Sequence, residues 1–476
     1  MGGGNLFAQQ LLTLESALQI ASQNSPDIRR SLLNLERSQE SLNAQNAALK
    51  SQFSLNLSAI DYSKTRSFDD FNSQWFTQES LGTSGTFTVS QPILLTDGTL
   101  SLNNQFGWQR STSDFNNVED RSFFNNLYLS LNQPLFTYNR LKLELKELEL
   151  DLENSNLSYA MQKLNLEKSV TQFFYNVYLA QMSLSISRDE FTNTQKSFEI
   201  TKNKVEAGLA AKEELYQAEL NYATAQSDVQ NKKVLLENAK DQFKQYIGMD
   251  IMEEIGVMAN VEALPVEVDL TKAINYGLDS RMEIRQREID IEMSQFQLIT
   301  TRGLNEFKGD LNLSIGIIGE DEKLNNIYDN PTNNPRVSLG FNIPLWDWGE
   351  KKSRIKAQEA VIKTQELTFD EEKTQIVIDI RQVYRNLQNQ LTQIEIAKQS
   401  EKNAQLTYEI NLERYANGDL TSMDLNLFQT QLSEKKMAYA QALIDYKIEL
   451  LNLKIQTLFD FENNIGIVPE EIIEKR

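Results

Sequence analysis

The chain is 476 residues long, contains no cysteine and no histidine, and carries a formal charge of −20. Thiol and imidazole catalysis, disulfides and Cys/His zinc sites are thereby excluded, and no basic surplus exists to meet nucleic-acid phosphates. No run of eighteen apolar residues occurs, so a transmembrane helix is not expected and any membrane insertion must use a β-barrel.

The start, residues 1–12, reads as a flexible segment or as the stump of a signal peptide ending at Leu6, Phe7 and Ala8. A helix is predicted over 13–51. Strands follow over 53–133, where apolar and polar residues alternate with period two: Phe53-Leu55-Leu57-Ala59, Phe87-Val89, Leu100-Leu102 with Phe106-Trp108, and Leu127-Leu129-Leu131. Leu95-Thr96-Asp97-Gly98 is a tight turn, whereas 63–84, 111–122 and 319–335 read as longer polar loops. Pro92 and Pro134 each stand at a strand's end, where a missing backbone donor does least harm.

From Asn139 to about Val205 neither proline nor glycine interrupts the chain. Leu143, Leu150, Leu157 and Leu164 repeat every seven residues, as do Leu145, Leu152, Tyr159 and Leu166. Two stripes on opposite flanks predict a helix with neighbours on both sides, about 100 Å long at 1.5 Å per residue. It reaches Gly208, a predicted C-cap and reversal, and a second helix runs on to 248. Residues 249–268 form a linker. The second half then repeats the plan over 269–460: a helix over 269–302, strands over 310–343 (Leu311-Leu313-Ile315-Ile317 and Val337-Leu339-Phe341-Ile343) ending at Pro344, a long helix from 351 to a reversal at Gly418, and a last helix to 460, with 461–476 as a tail.

The repetition holds register. Residues 13–60 match 269–316 at an offset of 256, with Leu55-Asn56-Leu57-Ser58 on Leu311-Asn312-Leu313-Ser314. From Pro134-Leu135-Phe136 on Pro344-Leu345-Trp346 the offset is 210, so the first half carries 46 extra residues between about 62 and 134. Within that insertion, Gln91-Pro92-Ile93-Leu94 echoes Gln133-Pro134-Leu135-Phe136, as one additional strand pair would.

This order of elements, given twice, resembles the TolC-like outer-membrane efflux proteins over essentially the whole chain. The residues that carry the likeness are Ala17-Leu18 and Asp27, Gln133-Pro134-Leu135-Phe136, and the paired tips from Gly208 to Leu215 and from Gly418 to Leu425. The resemblance implies a mixed α/β membrane protein: a homotrimeric outer-membrane β-barrel continued by a long periplasmic α-helical barrel. It implies a passive channel of a tripartite efflux or type I secretion system, with a periplasmic adaptor (membrane fusion) protein and an inner-membrane pump of RND or ABC type as partners. It implies neither catalysis nor a cofactor or metal.

By position, Gly208, Leu209, Ala210, Gly418, Asp419 and Leu420 are the expected adaptor contacts. Tyr415, Glu214 and Asp424 are the expected aperture gate, with Glu214 accepting a hydrogen bond from Tyr415. Leu420 and Leu427 stand where the family's gate carries an arginine and a second aspartate, so fewer ionic ties are expected. Four strands per protomer give the family's usual twelve-stranded barrel; six give eighteen, and the extra hairpin either joins the wall or folds outside it. The acidic chain is expected to favour cations if enough acids line the lumen. A coiled-coil scaffold is the alternative, but it leaves the strands and the duplication unexplained. A carboxylate hydrolase lacks a separated acid pair, since Asp69-Asp70, Glu213-Glu214 and Glu371-Glu372 are adjacent.

Overall fold

A computed structural model describes residues 10–114, 118–262 and 264–467. Its elements follow the duplicated plan. Helices α1 (Leu14–Asn24) and α2 (Pro26–Ala48) precede strands β2 (Gln52–Asp69), β3 (Gln74–Ile93), β4 (Gly98–Ser113) and β5 (Val118–Leu135). The long helix α3 (Arg140–Glu206) and its return α4 (Lys212–Ile247) complete the first half. In the second half α5 (Leu270–Ser280) and α6 (Met282–Arg302) lead to β7 (Lys308–Asp321), β8 (Thr332–Asn333) and β9 (Arg336–Asn342), then to α7 (Glu350–Asn417) and α8 (Ser422–Thr457). Helices α1 and α5 are related by the offset of 256, and α4 and α8 by 210, residue for residue.

Several expectations are corrected. The single helix over 13–51 is two, because Pro26 cannot donate back into the preceding turn and Ser25 turns extended before it. The helix over 269–302 breaks at the matching place, where Arg281 is extended. At the end of the segment 1–12, Gln10–Leu12 (β1) is a strand that pairs in parallel with Ile255–Val257 (β6), which lies in the expected linker. Residues 1–9, with the expected signal-peptide stump, lie outside the described residues. The tail begins with structure, a small hairpin of Phe459–Asp460 (β10) and Ile465–Gly466 (β11); residues 468–476 lie outside the described set. The expected loops 63–84 and 111–122 are mostly strand, since β2 and β3 pair from Gln52↔Ser90 to Asp69↔Gln74.

The chain divides into two compact units that cut across the repeats. One comprises 1–35, 155–287 and 368–476; the other, 36–154 and 288–367. The first is helical. Its core gathers Ala17 and Ala21 of α1, Phe174 and Val177 of α3, Phe243 and Ile247 of α4, and Ile444 of α8, all buried. Leu157 and Leu166, one from each α3 stripe, are buried as well.

The second unit is built on one antiparallel sheet in the order β2-β3-β4-β5-β7, with β8 and β9 both pairing the far edge of β7. The hairpin β3–β4 therefore lies inside the sheet. Pro92 and Pro134 are next to last in β3 and β5, and Pro344 follows the end of β9 by two residues. Among the described residues no helix is long and apolar enough to cross a membrane.

Candidate functional site

Two regions concentrate the unusual features: the faces of the sheet and the paired helical reversals. In an antiparallel sheet directly opposed residues share a face. Phe53, Val89, Leu102, Leu129 and Ile315 stand in one row across five strands. Leu100, Leu131, Leu313 and Val337 form the adjacent row. The opposite face carries Ser90, Ser101, Ser130 and Ser314 in one row, with Thr88 and Asn103 hydrogen-bonded at 2.9 Å and Asn132 to Asn312 at 2.6 Å. The apolar face is bare, with Leu57 72% and Val337 74% exposed. Water on so large an apolar surface is costly, at about 25 cal/mol per Å².

The apolar rows end before the strands do. Beyond them the same face carries the Lys64–Glu79 pair, and Arg110 and Arg121 both engaging Glu119. Arg66 lies 5.2 Å over the ring of Trp75. At about 3.4 Å per residue the 18 residues of β2 are far longer than the 9–11 that a tilted membrane strand needs, so its outer half extends past the apolar band.

At the helical tips, Gly208 and Gly418 adopt φ of +78° and +91°, with open space where a Cβ would stand. Leu209 N–H donates to Lys204 O and Gly208 N–H to Val205 O; Asp419 and Gly418 make the equivalent bonds to Arg414 and Tyr415. Both reversals are thus Schellman motifs, which satisfy the last helical carbonyls. The helices that follow differ: Thr421 caps α8 by accepting from Asp424 N–H and also bonds the Asp424 carboxylate, whereas Ala211 gives α4 no side-chain cap. Leu209, Tyr216, Met423 and Leu427 are exposed near the tips, as are Gly208, Gly418 and Asp419, while Ala210 and Leu420 are half-buried.

Tyr415 is buried at 3% exposure. Its hydroxyl lies 2.6 Å from Thr201 Oγ1 and donates to Ser197 O at 3.1 Å. Lys204 Nζ donates to Tyr415 O at 3.0 Å and lies 4.9 Å over its ring. The expected bond to Glu214 is not formed among the described residues. Burial raises the Tyr415 phenol pKa, and the nearby Glu214 charge adds to that rise. A tyrosine tied to α3 through the Thr201 hydroxyl and, one turn away, the Ser197 backbone carbonyl replaces the tyrosine–carboxylate tie that position suggested. Lys204, in the last turn of α3, is the one partner that sequence cues flag, because a cation is favoured at a helix C-terminus.

A further tie, this one between α3 and α8, was not anticipated. Gln429 donates to Glu190 O at 2.9 Å, and the Glu190 carboxylate accepts from Thr430 and Ser433 at 3.4 and 3.3 Å. The residues border a groove of about 700 Å³ that also holds Asp228, Lys232 and Glu434. Burial raises the Glu190 pKa, with Asp228 and Glu434 adding repulsion against its two hydroxyl bonds. A carboxyl raised on folding costs nothing while it is protonated in both states. Stability then falls as pH climbs from the ordinary carboxyl range through the raised value. Melting temperature measured against pH is expected to drop across that window, and Glu190→Gln is expected to flatten that part of the profile. An unchanged slope in the variant rejects this role.

The family model described as outer membrane efflux protein matches residues 99–249 and 308–455. The outer membrane protein TolC of Escherichia coli K12 is 22% identical over 372 residues, 75% of this chain and 73% of that protein. The CmeC outer membrane channel of Campylobacter jejuni superposes with a TM-score of 0.71 at 14% identity, covering 97% of this chain and 88% of that one. VceC of Vibrio cholerae gives 0.67 at 14%, covering 94% and 97%.

Proposed function

Since this chain belongs to the outer membrane efflux protein family, we propose that it is the outer-membrane channel of a tripartite efflux or type I secretion system, working as a homotrimer. The observation that carries this reading is the two-faced sheet. Its apolar face is exposed across all six long strands, which suits lipid, while hydroxyls and amides on the other face suit a wet lumen. A coiled-coil scaffold has no use for such a face.

In this reading the helical hairpins reach into the periplasm and cargo moves passively. Adaptor hairpins grip the reversals around Gly208, Leu209, Ala210, Gly418, Asp419 and Leu420, helped by the exposed apolar side chains of Leu209, Tyr216, Met423 and Leu427. A pump of RND or ABC type in the inner membrane supplies the energy. Tyr415 is the closing contact: its ties to Thr201, Ser197 and Lys204 hold the α7–α8 pair against α3. Glu214 contributes charge near the tyrosine, and Asp424 stiffens the start of α8. Opening breaks these few hydrogen bonds, each worth about 1 kcal/mol net, which lies within the reach of adaptor binding.

The test is electron microscopy of detergent-purified protein together with planar-bilayer recording. A threefold tubular particle and stepwise ion currents are expected. A monomer that stays monodisperse without detergent and passes no current overturns the channel.

A further inference from the structure

We propose that the β3–β4 hairpin is part of the membrane wall, so that three copies close an eighteen-stranded barrel lined by neutral hydroxyls and amides. The inference rests on the trimeric channel reading above and adds the size and chemistry of its outer pore.

The hairpin is inserted into the ladder rather than laid upon it. Strand β3 pairs β2 on one side and β4 on the other, the latter from Gln78↔Ser113 to Ile93↔Gly98. Strand β4 continues against β5 from Thr99↔Asn132 to Ser113↔Val118. The hairpin's apolar residues Phe87 and Val89 continue the rows of Leu55 and Phe53 on β2, Leu100 and Leu102 lead on to Leu131 and Leu129 of β5 and to Leu313 and Ile315 of β7, and Trp108 stands opposite Phe123. A hairpin outside the wall leaves these side chains without lipid and breaks every row.

The turn at its base is fixed as well. Asp97 accepts from Arg140 and Leu141 N–H at 3.2 Å, capping α3, and Asn139 Nδ2 donates to Leu94 O at 2.6 Å. The matching cap in the second half comes from Asp347, which receives Gly349 and Lys351 N–H.

Among the described residues of one chain, β2 and β9 each have one edge without a strand partner. Six strands are too few for the smallest outer-membrane barrel, which needs eight. Six is even, so β2 and β9 run in opposite directions, and the seam between β9 of one copy and β2 of the next is antiparallel like the rest. Diameter grows with strand number, and 16–18 strands leave an aqueous channel.

Over its central rows the polar face carries no net charge. From the row of Ser90, Ser101, Ser130 and Ser314 outward to Ser84, Gly107 and Phe124, its only charged side chains among the described residues are Arg336 and Glu320, which cancel. The formal charge of −20 therefore does not make this wall acidic, and the expected cation preference has no origin in it. The outer pore filters poorly by charge or size, which leaves selection to the helical end.

Single-particle microscopy of the intact protein tests the strand count, and cysteine labelling tests the face. Eighteen strands in a threefold wall are expected. Twelve strands with the hairpin on the rim overturn the inference and leave the channel standing; a particle without threefold symmetry overturns both. The chain has no cysteine of its own, so Asn103→Cys and Leu102→Cys in lipid vesicles report without background. A charged, water-soluble maleimide is expected to label Asn103→Cys at least tenfold faster than Leu102→Cys. Equal labelling places the hairpin outside the bilayer and overturns the proposal.

Discussion

Tyr415→Ala is expected to raise the open probability of the isolated channel by about two orders of magnitude in planar bilayers. The substitution empties a site that is 3% exposed and packed with Tyr408, Leu425 and Leu432. Truncating a buried aromatic costs about 3–5 kcal/mol, and only part of that loss falls on the closed state alone. A bias of about 3 kcal/mol is a factor of about 100 in a two-state equilibrium. Tyr415→Phe keeps the ring and removes the hydroxyl from Thr201 and Ser197. It forfeits about 1–1.5 kcal/mol, hence about tenfold. Glu214→Gln is expected to change conductance little, since Glu214 makes no hydrogen bond to the tyrosine. The graded order Ala, Phe, Gln is what distinguishes a hydrogen-bonded clamp from an ionic one. A silent Tyr415→Ala with an open Glu214→Gln reverses the assignment.

The plan of the molecule is legible in the sequence because the duplication preserves register. The offset of 256 carries α1 onto α5, and the offset of 210 carries α4 onto α8. Both reversals are legible from their glycines, since αL geometry is cheap only without a Cβ. The outer half of the β2–β3 hairpin is not legible, for two reasons. A bulge between Ser58 and Asp61 inserts one residue, so Ile60 and Tyr62 alternate out of phase with Phe53, Leu55 and Leu57. Beyond it, charged and polar residues such as Lys64, Arg66 and Glu79 interrupt both faces, the aromatic residues return only at Phe68, Trp75 and Phe76, and the period-two signal disappears although the pairing continues.

The partners of Tyr415 are hidden for a different reason. Ser197 and Thr201 lie more than two hundred positions away; a backbone carbonyl such as that of Ser197 leaves no side-chain signal, and a buried hydroxyl such as that of Thr201 in a long polar helix has no local pattern that sets it apart. Glu190 is hidden likewise: its burial depends on α8 packing over it, which no window of α3 reveals.

Gly248→Val is expected to be the most destabilising of the helix-end glycine substitutions, lowering the thermal midpoint far more than Gly208→Ala or Gly418→Ala. All three glycines have positive φ, +75° at Gly248 against +78° and +91°. Each therefore carries the left-handed penalty of about 1–2 kcal/mol once a Cβ is added. At the two tips nothing lies within 4 Å of that Cβ, and the penalty ends there. At Gly248 the Cβ falls 2.3 Å from Asn24 O and 2.6 Å from Asn24 C. Those are backbone atoms at the end of α1, which no rotamer change can move. Overpacking of that kind adds about 1–3 kcal/mol. Relief requires α1 to slide away from α4, and the two helices meet through Ala17, Ala21, Phe243 and Ile247 in the core. Valine, with its two γ branches, adds to the clash. Circular dichroism melts of the three variants are the check. A Gly248→Val midpoint as high as that of the tip variants shows that α1 yields freely, and the contact at Asn24 then does not hold the helical unit together.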